Sequence, residues 1–347
     1  MNESRLNLED IAKKAGVSRS TVSRVINKEP YVSAKTRTRV MEVIEQESFR
    51  PNPAARMLVT QRTHIIGMVV PQISNVFFAD NSYFPMLLQG ASSAINEHDH
   101  SMLLWLQQDG ENREQFSQRI ARNRLMDGMV LCSIIESDPI VEMALETGMT
   151  FVTVERPIGF ANKVSDQFSY VTVDNVHAAN MAVEHLIRLG RKRIAHITGH
   201  LTIADGQDRL QGYRQAILRA GMPLDENLIF PGFFTREYGY LGMKTLLKYK
   251  PDAVFAGGDT TAQGALQAIH EAGLRVPDDI AIVGFDDLDI ATQMTPKLTT
   301  IRQPVQQKGA TAASLLIDKI EGRANGPQRV ILPTELVIRQ SCGAIPS

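Results

Sequence analysis

Arginine and hydroxyl side chains share one face of a short helix that the sequence predicts over residues 19–27. Arg19, Ser20, Ser23 and Arg24 have the spacing for this face, and three aliphatic residues share the opposite face. An arginine on such a helix pairs bidentately with guanine O6 and N7 when the helix enters the major groove of DNA. The pattern therefore favours a base-reading helix. The alternative, from the pattern alone, is an ordinary helical hairpin with a solvated polar face.

The residues around this helix predict the elements that would position it. Asn7 can cap a first helix that ends at Gly16, and Ser18 can cap the second helix. Ser33 can cap a third helix, which has an apolar face of its own. We therefore expect a small all-α helix-turn-helix head over residues 1–50.

Charge is distributed unevenly along the chain. Residues 1–62 carry 12 lysines and arginines against 7 acidic residues, whereas residues 63–347 carry 25 against 31. The formal net charge of −1 conceals this asymmetry. A basic end on an acidic body is the expected footprint of a DNA-binding head.

Residues 51–63 predict a hinge helix and a linker. Asn52 can cap the helix, Pro53 suits its first position, and the next residues, Ala55 among them, favour helix. A helix this short is unstable alone in water, and it exposes Leu58. We expect it to order on DNA with Leu58 wedged between base steps of the minor groove. The alternative is a plain linker that packs on the body.

From residue 64 onward, apolar runs alternate with amphipathic helices. Short runs rich in Val and Ile and separated by helices predict a parallel, doubly wound sheet. The runs outnumber the strands of one typical sheet, so we predict an α/β body of two doubly wound parallel-sheet lobes with a cleft between them. The expected boundaries are residues 64–163 and 296–325 for lobe 1, and residues 164–295 and 326–343 for lobe 2.

The chain resembles the LacI family of bacterial transcription regulators over essentially its whole length. The resemblance implies a helix-turn-helix head, a hinge helix and a body like a periplasmic sugar-binding protein. It further implies a repressor that binds near-palindromic double-stranded operator DNA as a homodimer. A small effector in the cleft, expected to be a sugar, would control its DNA affinity. The motifs, in the family's order, are LEDIAKKAGVSRSTVSRVIN (8–27), FRPNPAARML (49–58), VDNVHAANMAVEHLIRLGRKRIAHI (173–197), RLQGY (209–213), VPDDIAIVGFDDLDIA (276–291), LTTIRQP (298–304) and ELVIR (335–339).

By position, the resemblance implies DNA contacts along the second helix and in the hinge. Arg19, Ser20 and Arg24 would read bases, and Leu58 would be the minor-groove wedge. The neighbouring hydroxyls would touch phosphates, which position a protein without specifying a sequence. The predicted DNA-binding residues are Ser18, Arg19, Ser20, Thr21, Ser23, Arg24, Asn27, Ala55 and Leu58.

Ligands of doubly wound sheets bind beyond the carboxyl ends of the strands. Arg156, Asp259 and Asp286 follow apolar strands, Arg209 opens the RLQGY helix, and Phe234 lies in a loop. Sugars suit such a site because carboxylates and arginines bond their hydroxyls and an aromatic ring covers their C–H faces. All five positions match family effector contacts. The alternatives are helix caps for the two aspartates, surface ion pairs for the arginines and core packing for the phenylalanine.

Two departures from the family pattern fall at the cleft. Gly258 stands where the family usually has Asn before Asp259, so one polar contact is missing. The pattern Asn-Pro-Phe-Phe has two imperfect copies within residues 71–84, starting at Asn75 and Asn81, which an insertion of six residues explains. The effector contacts predicted from this segment are Asn75, Phe77, Phe78, Tyr83 and Phe84.

Other function classes have weaker support in the sequence. The GGD at 257–259 lacks the lysine of a P-loop, no G-x-S-x-G motif is present, and His196 and His200 supply too few ligands for zinc. We predict no catalytic residues, metal or cofactor, although a sugar-modifying enzyme is one alternative. A transport-type sugar-binding protein is another, but a basic head stands where its signal peptide would be. The polar N-terminus, two distant cysteines and short apolar runs predict a cytoplasmic protein without membrane spans.

Replacing Arg24 with alanine should relax base preference and weaken specific DNA binding by roughly 1–3 kcal/mol, because a base-reading side chain is lost. Selection from a random duplex pool, followed by fluorescence anisotropy, measures both effects. The matched control is Thr21→Ala, which should weaken binding to all sequences alike because a phosphate contact carries no sequence information. An unchanged base preference in Arg24→Ala would remove Arg24 from the readers.

Overall fold

The computed structural model describes most of the chain and divides it into two compact units, Met1–Thr63 and His64–Ser347. Most of the predicted hinge lies outside the described part. The described residues are 6–26, 31–47, 49, 62–73, 82–108, 110–123, 125–161 and 166–344.

Three helices build the described part of the first unit: α1 (Leu8–Ala15), α2 (Arg19–Ile26) and α3 (Ala34–Gln46). The Asn7 side chain accepts hydrogen bonds from two backbone N–H groups of the first turn of α1, and Gly16 ends that helix with φ 63°. This cap and this left-handed stop confirm the first helix as it was predicted. The buried residues of the unit are Ile11, Ala12, Ala15, Val22, Val25, Val40 and Phe49.

Two six-stranded sheets form the framework of the second unit. The strands are β1 (Ile65–Ile73), β2 (Ser101–Gln107), β3 (Gly128–Leu131), β4 (Phe151–Val154), β5 (Tyr170–Val173), β6 (Ile194–Ile197), β7 (Ile229–Phe230), β8 (Ala253–Ala256), β9 (Ala281–Asp286), β10 (Thr299–Arg302), β11 (Arg329–Leu332) and β12 (Glu335–Val337). The first sheet has the order β11-β5-β4-β3-β1-β2 and the second has the order β12-β10-β9-β8-β6-β7. All neighbouring strands are parallel except β10 and β12, which are antiparallel.

Helices cover both faces of each sheet, which confirms the doubly wound fold. The helices are α4 (Tyr83–Glu97), α5 (Arg113–Ala121), α6 (Pro139–Thr147), α7 (Asn175–Arg188), α8 (Ala204–Arg219), α9 (Arg236–Leu246), α10 (Asp259–Glu271), α11 (Asp289–Gln293) and α12 (Val305–Ile320). We call the first sheet with α4, α5, α6 and α12 the first lobe, and the second sheet with α7 to α11 the second lobe. Four apolar clusters fill the spaces between sheets and helices. Within the described residues, none of these helices combines the length and the apolar character that crossing a membrane requires.

The chain passes between the lobes three times, after β5, after β10 and after β11. The expected lobe boundaries were wrong at these strands, because they placed β5 and β11 in lobe 2 and β10 in lobe 1. In the structure β5 extends the first sheet beside β4, β11 pairs with β5, and β10 pairs with β9 in the second sheet. A strand joins the sheet edge that leaves its backbone groups hydrogen-bonded, and that edge exists only in the folded protein.

Glycines allow helices α4 and α12 to touch through their backbones in the first lobe. A Cβ atom on Gly309 would lie 2.0 Å from the carbonyl oxygen of Leu87, and one on Gly90 would lie 1.8 Å from that of Gln306. Because no side chain fits at these distances, glycine sets the separation of the two helices. This separation also fixes where the rest of α12 lies against the first sheet.

Gly309→Ala should therefore lower the free energy of unfolding by about 1–3 kcal/mol, because the added methyl group forces the two helices apart. Urea unfolding followed by the fluorescence of Trp105, the only tryptophan, reports on the first lobe directly. Gln307→Ala on the same helix removes an exposed side chain and should change the value by no more than about 0.5 kcal/mol. Equal midpoints for the two variants would show that the helix contact does not depend on glycine.

Candidate DNA-reading helix and effector site

Helix α2 presents its predicted reading face on the surface of the head. Arg19, Ser20 and Arg24 are exposed. The Ser18 hydroxyl accepts the N–H of Thr21 at 3.2 Å, as a cap should, and lies 2.8 Å from the Ser20 hydroxyl. Hydroxyl groups therefore cluster at the start of the helix, where phosphate contacts are common.

The other predicted DNA contacts differ in exposure, and some of them lie outside the described residues. Ser23 is half-buried on α2. Arg19 Nη1 lies 3.8 Å from Glu9 Oε1, and both side chains are mostly exposed, so this ion pair is weak. Three predicted contacts lie outside the described residues: Asn27, Ala55 and Leu58.

A buried ion pair between Lys308 and Glu155 lies at the cleft side of the first lobe. Lys308 Nζ, on α12, lies 2.5 Å from Oε1 of Glu155, which follows β4, and the two side chains are 0% and 8% exposed. Thr172 on β5 donates its hydroxyl to Glu155 Oε2 at 2.7 Å. The Tyr83 hydroxyl lies 3.4 Å from Glu155 Oε1 and 3.5 Å from Lys308 Nζ. Every charged atom of the pair thus has partners, as a buried ion pair requires.

Arg209 on α8 is the corresponding centre of the second lobe, and its side chain is only 3% exposed. Its Nε donates to Asn175 Oδ1 at 2.9 Å, and its Nη1 donates to the carbonyl of Gly257 at 2.5 Å. Its Nη2 lies 3.5 Å from Asp205 Oδ2. The guanidinium carbon lies 3.5 Å from the ring centroid of Phe285. Stacking and hydrogen bonds together fix the plane of this guanidinium group.

Gln303 joins these two groups across the cleft. Its carbonyl oxygen accepts from Lys308 Nζ at 2.6 Å, and its amide nitrogen donates to Asp286 Oδ1 at 2.5 Å. The same oxygen of Asp286 lies 3.7 Å from Arg209 Nη1. A continuous series of polar contacts therefore runs from Glu155 in the first lobe to Arg209 in the second, and it passes through the crossover that follows β10.

The protonation states in this network follow from burial and neighbouring charge. Burial opposes ionisation of Glu155, but the charge of Lys308 and hydrogen bonds from Asp205, Lys308 and Thr172 lower its pKa to about 2. Burial and the adjacent Glu155 raise the pKa of Asp205 well above its usual value. The pKa values of the two carboxyl groups shift in opposite directions, so protonation of Asp205 is favoured over protonation of Glu155, whose negative charge faces Lys308. Burial and Glu155 also raise the pKa of Tyr83, so its hydroxyl stays protonated.

Comparison with known proteins identifies the family. The family model described as bacterial regulatory proteins, lacI family, matches residues 7–52, and the one described as a periplasmic binding protein-like domain matches residues 183–342. The HTH-type transcriptional regulator CelR of Thermobifida fusca is 39% identical over 339 residues, which are 97% of this chain and 98% of that protein. The chain belongs to the LacI family. It is a sequence-specific DNA-binding transcriptional regulator of that family, and the resemblance seen in the sequence is confirmed.

Solved structures of LacI-family regulators share the whole fold. A complex of the transcriptional regulator CelR with cellobiose superimposes with a TM-score of 0.76 at 36% identity, covering 97% of this chain and all of that one. A lac repressor dimer bound to its operator and the anti-inducer ONPF gives a TM-score of 0.80 at 25% identity and covers 98% and 100%. The order of the head and the two lobes is therefore that of LacI-family regulators.

Two of the predicted effector residues have their charges satisfied within the protein. Arg156 Nη2 lies 2.8 Å from Asp208 Oδ1 on α8, so it forms an ion pair between the lobes, and its side chain is 43% exposed. Asp259 is fully buried: its carboxylate accepts from the Thr300 hydroxyl at 2.5 Å and from the N–H of Leu288 at 2.8 Å. Asp259 does not cap α10, contrary to the alternative raised above, and instead anchors the loop that follows Asp286.

Asp286, the last residue of β9, and Phe234, in a loop, both face the cleft, and both are only partly buried. Their φ angles are 114° and 59°, in the region that non-glycine residues rarely adopt and that functional loops often use. The ring of Phe234 lies over Gly199, where a Cβ atom would be 1.8 Å from Cζ, and 5.3 Å from the Arg209 guanidinium. At Gly258, the departure from the family pattern, a Cβ atom would lie 3.3 Å from Asp286 Oδ2. The missing side chain thus gives Asp286 room.

The effector contacts predicted from the segment 71–84 differ in where they lie relative to the buried network. Tyr83 reaches the network through its hydroxyl, as described above. Phe84 does not join it, because this side chain is 6% exposed and packs in the apolar cluster of the first lobe. Successive residues at the start of a helix point in different directions, and only one of the two can face the cleft. The other three, Asn75, Phe77 and Phe78, lie outside the described residues.

The sequence prediction missed five members of the network: Glu155, Asn175, Asp205, Gln303 and Lys308. Some signals were available. Glu155 directly follows an apolar strand, and Lys308 is a lone charge on the apolar face of a predicted helix. A buried charge needs a partner, but nothing in the sequence identifies a partner 153 positions away.

Replacing Glu155 with leucine should destabilise the protein by about 3–5 kcal/mol, because Lys308 is left buried without its counter-ion. The double variant Glu155→Leu/Lys308→Met should recover most of this loss, since neither charge remains to be buried. Urea unfolding followed by Trp105 fluorescence measures both. Arg188→Ala, which breaks an exposed ion pair with Glu184, is the control and should cost less than about 1 kcal/mol. Additive losses in the double variant would contradict the pairing.

Proposed function

We propose that this LacI-family regulator is a repressor that binds operator DNA as a homodimer and whose DNA affinity is set by a neutral sugar in the cleft. The observation that carries the sugar assignment is the constellation of Asp286, Arg209 and Phe234. It offers a carboxylate acceptor, a fixed guanidinium donor and an aromatic ring within one cleft. Hydroxyl groups and C–H faces of a sugar match these three surfaces. The cellobiose complex of CelR supports the same class of ligand.

The charge balance of the cleft favours a neutral ligand over a sugar phosphate or a sugar acid. Lys308 is neutralised by Glu155, and Arg209 Nη1 lies 3.7 Å from Asp286 Oδ1. Arg156 is paired with Asp208. An anionic ligand would therefore have to compete with a carboxylate for each of these cations.

An effector at this position would act on both lobes. Asp286 and Arg209 belong to the second lobe, whereas Gln303 connects Asp286 to Lys308 in the first lobe. A hydroxyl that competes for Asp286 changes this connection. We propose that the first lobe, which follows the hinge through β1, then shifts against its partner in the dimer. Coupling of this kind is typically about 1–3 kcal/mol per pair of linked sites.

The domain assignment, the location and the base readers in this proposal are those predicted from the sequence. We assign residues 1–50 to the DNA-binding head, 51–63 to the hinge and 64–343 to the effector-binding body. We propose that the protein acts in the cytoplasm and catalyses no reaction, in keeping with relatives that are transcriptional regulators. Arg19, Ser20 and Arg24 are the proposed base readers.

Asp286→Ala should abolish the response to effector while the protein still binds DNA, because the side chain lies in the cleft and not in the head. Operator duplexes selected from a random pool, titrated with the full chain in the presence of each sugar of a panel, give the DNA affinity by fluorescence anisotropy. The control is Asp278→Ala, which removes an exposed carboxylate outside the cleft. A normal dose response in Asp286→Ala would remove this residue from the effector site.

A further inference from the structure

An ion pair between Arg156 and Asp208 joins the two lobes outside the buried network. Arg156 follows β4 in the first lobe and Asp208 lies on α8 of the second, their side chains approach to 2.8 Å, and they are 43% and 19% exposed. Each is the chain neighbour of a buried member of the network, Glu155 or Arg209. We call Arg156 and Asp208 the interlobe ion pair. It lies between the buried network and the solvent, and it forms only when the lobes are together.

A second contact between the lobes is a hydrogen bond between backbone groups. The N–H of Glu136, in the loop after β3, donates to the carbonyl of Thr202, in the loop after β6, at 2.7 Å. In the first sheet β3 lies two strands from β5, and in the second sheet β6 lies three strands from β10. The chain crosses between the lobes after β5 and after β10, so a rotation about these crossovers separates Glu136 from Thr202.

The N–H of Glu136 reports on the separation of the lobes, because its neighbours bond within the first lobe. Ile135 donates its N–H to a carboxylate and Ser137 donates its N–H to a backbone carbonyl, and both acceptors belong to the first lobe. A hydrogen-bonded amide exchanges its proton with solvent when its bond opens. Exchange at Glu136 therefore requires Thr202 to move away, whereas exchange at its two neighbours requires the first lobe itself to open.

The exposure of the interlobe ion pair limits how much it contributes. Ion pairs with partly exposed partners are individually weak, and added salt weakens them further. The buried network and the hydrogen bond of Glu136 remain when the pair is broken. The pair therefore adjusts the closed position of the lobes, and its loss should raise the population of the open position about two- to fivefold.

We propose that the interlobe ion pair sets how often the two lobes open, and thereby how fast a ligand of the cleft enters and leaves. The buried network fixes the closed position, and the interlobe ion pair adds a contact that is broken and remade at the solvent-exposed edge. The opening itself does not depend on the identity of the ligand. Its extension to the rate of ligand exchange rests on the proposed effector.

Hydrogen–deuterium exchange of the full chain without added ligand tests the opening, read by mass spectrometry of peptides that contain Glu136. Arg156→Gln should raise exchange at Glu136 about two- to fivefold at low salt, because the closed position loses one contact. Arg156→Lys keeps the charge and should restore most of the protection. At about 0.5 M salt the unsubstituted protein should approach Arg156→Gln, because exposed charges are screened.

Arg329→Gln is the matched control. Arg329 Nη2 lies 2.8 Å from Asp166 Oδ1, its side chain is 45% exposed, and both residues belong to the first lobe. This variant should leave exchange at Glu136 unchanged. The double variant Arg156→Gln/Asp208→Asn should exchange no faster than Arg156→Gln alone, because the same pair is lost in both. Equal exchange at Glu136 in Arg156→Gln and Arg329→Gln, or additive increases in the double variant, would overturn the proposal.

A sugar of the panel that binds the protein gives the second measurement, its dissociation rate by surface plasmon resonance. Asp208→Asn should raise this rate about two- to fivefold, because the lobes open more often. An unchanged dissociation rate in Asp208→Asn would overturn the link between the pair and ligand exchange. If no sugar binds, the proposed sugar effector fails, while exchange at Glu136 still decides whether the interlobe ion pair controls opening.

Discussion

The structure of the body depends on a buried series of charges and amides that neither lobe could satisfy alone. Lys308 has no exposure to water, and its charge is tolerable only because Glu155 and Gln303 accept from it. Gln303 is oriented in turn by Asp286 of the second lobe. Removing any member leaves another polar group buried without its partner. The network therefore stabilises one relative position of the two lobes.

The network lies where the chain crosses from one lobe to the other, so a change in it can affect both lobes. Gln303 lies on one of the three crossovers between the lobes, two residues before α12. Helix α12 packs against α4 through glycine contacts too close for any side chain. A change at Asp286 is thus transmitted to a helix whose position in the first lobe is fixed by backbone contact. The first lobe also contains β1, the strand by which the body begins. The cleft is thus connected, through α12, to the lobe that follows the hinge in the sequence.

The site residues divide into those that face the cleft and those that hold them. Asp286, at the end of β9, and Phe234, in a loop, face the cleft with positive φ angles. Asp259 anchors the loop that follows Asp286, and Gly199 provides the space for the Phe234 ring. Arg209 does both, since it stacks on Phe285 and lies beside Asp286. The departure at Gly258 has a structural role in this arrangement, because a side chain there would crowd Asp286. The family pattern alone indicates only that the polar ligand contact of the usual asparagine is missing.

Local patterns in the sequence determined much of this protein. Caps such as Asn7 and Gly16, the periodicity of α2 and the alternation of apolar runs with helices predicted the head and the doubly wound body, because these signals depend on neighbours within a few residues. Motifs in the family's order predicted the regulator class. The tertiary structure alone decided the lobe membership of β5, β10 and β11, the pairing of Lys308 with Glu155 and the burial of Asp259 and Phe84. These outcomes depend on which sheet edge is open and on partners up to 153 positions apart in the chain. The sequence does not show which distant residues come into contact.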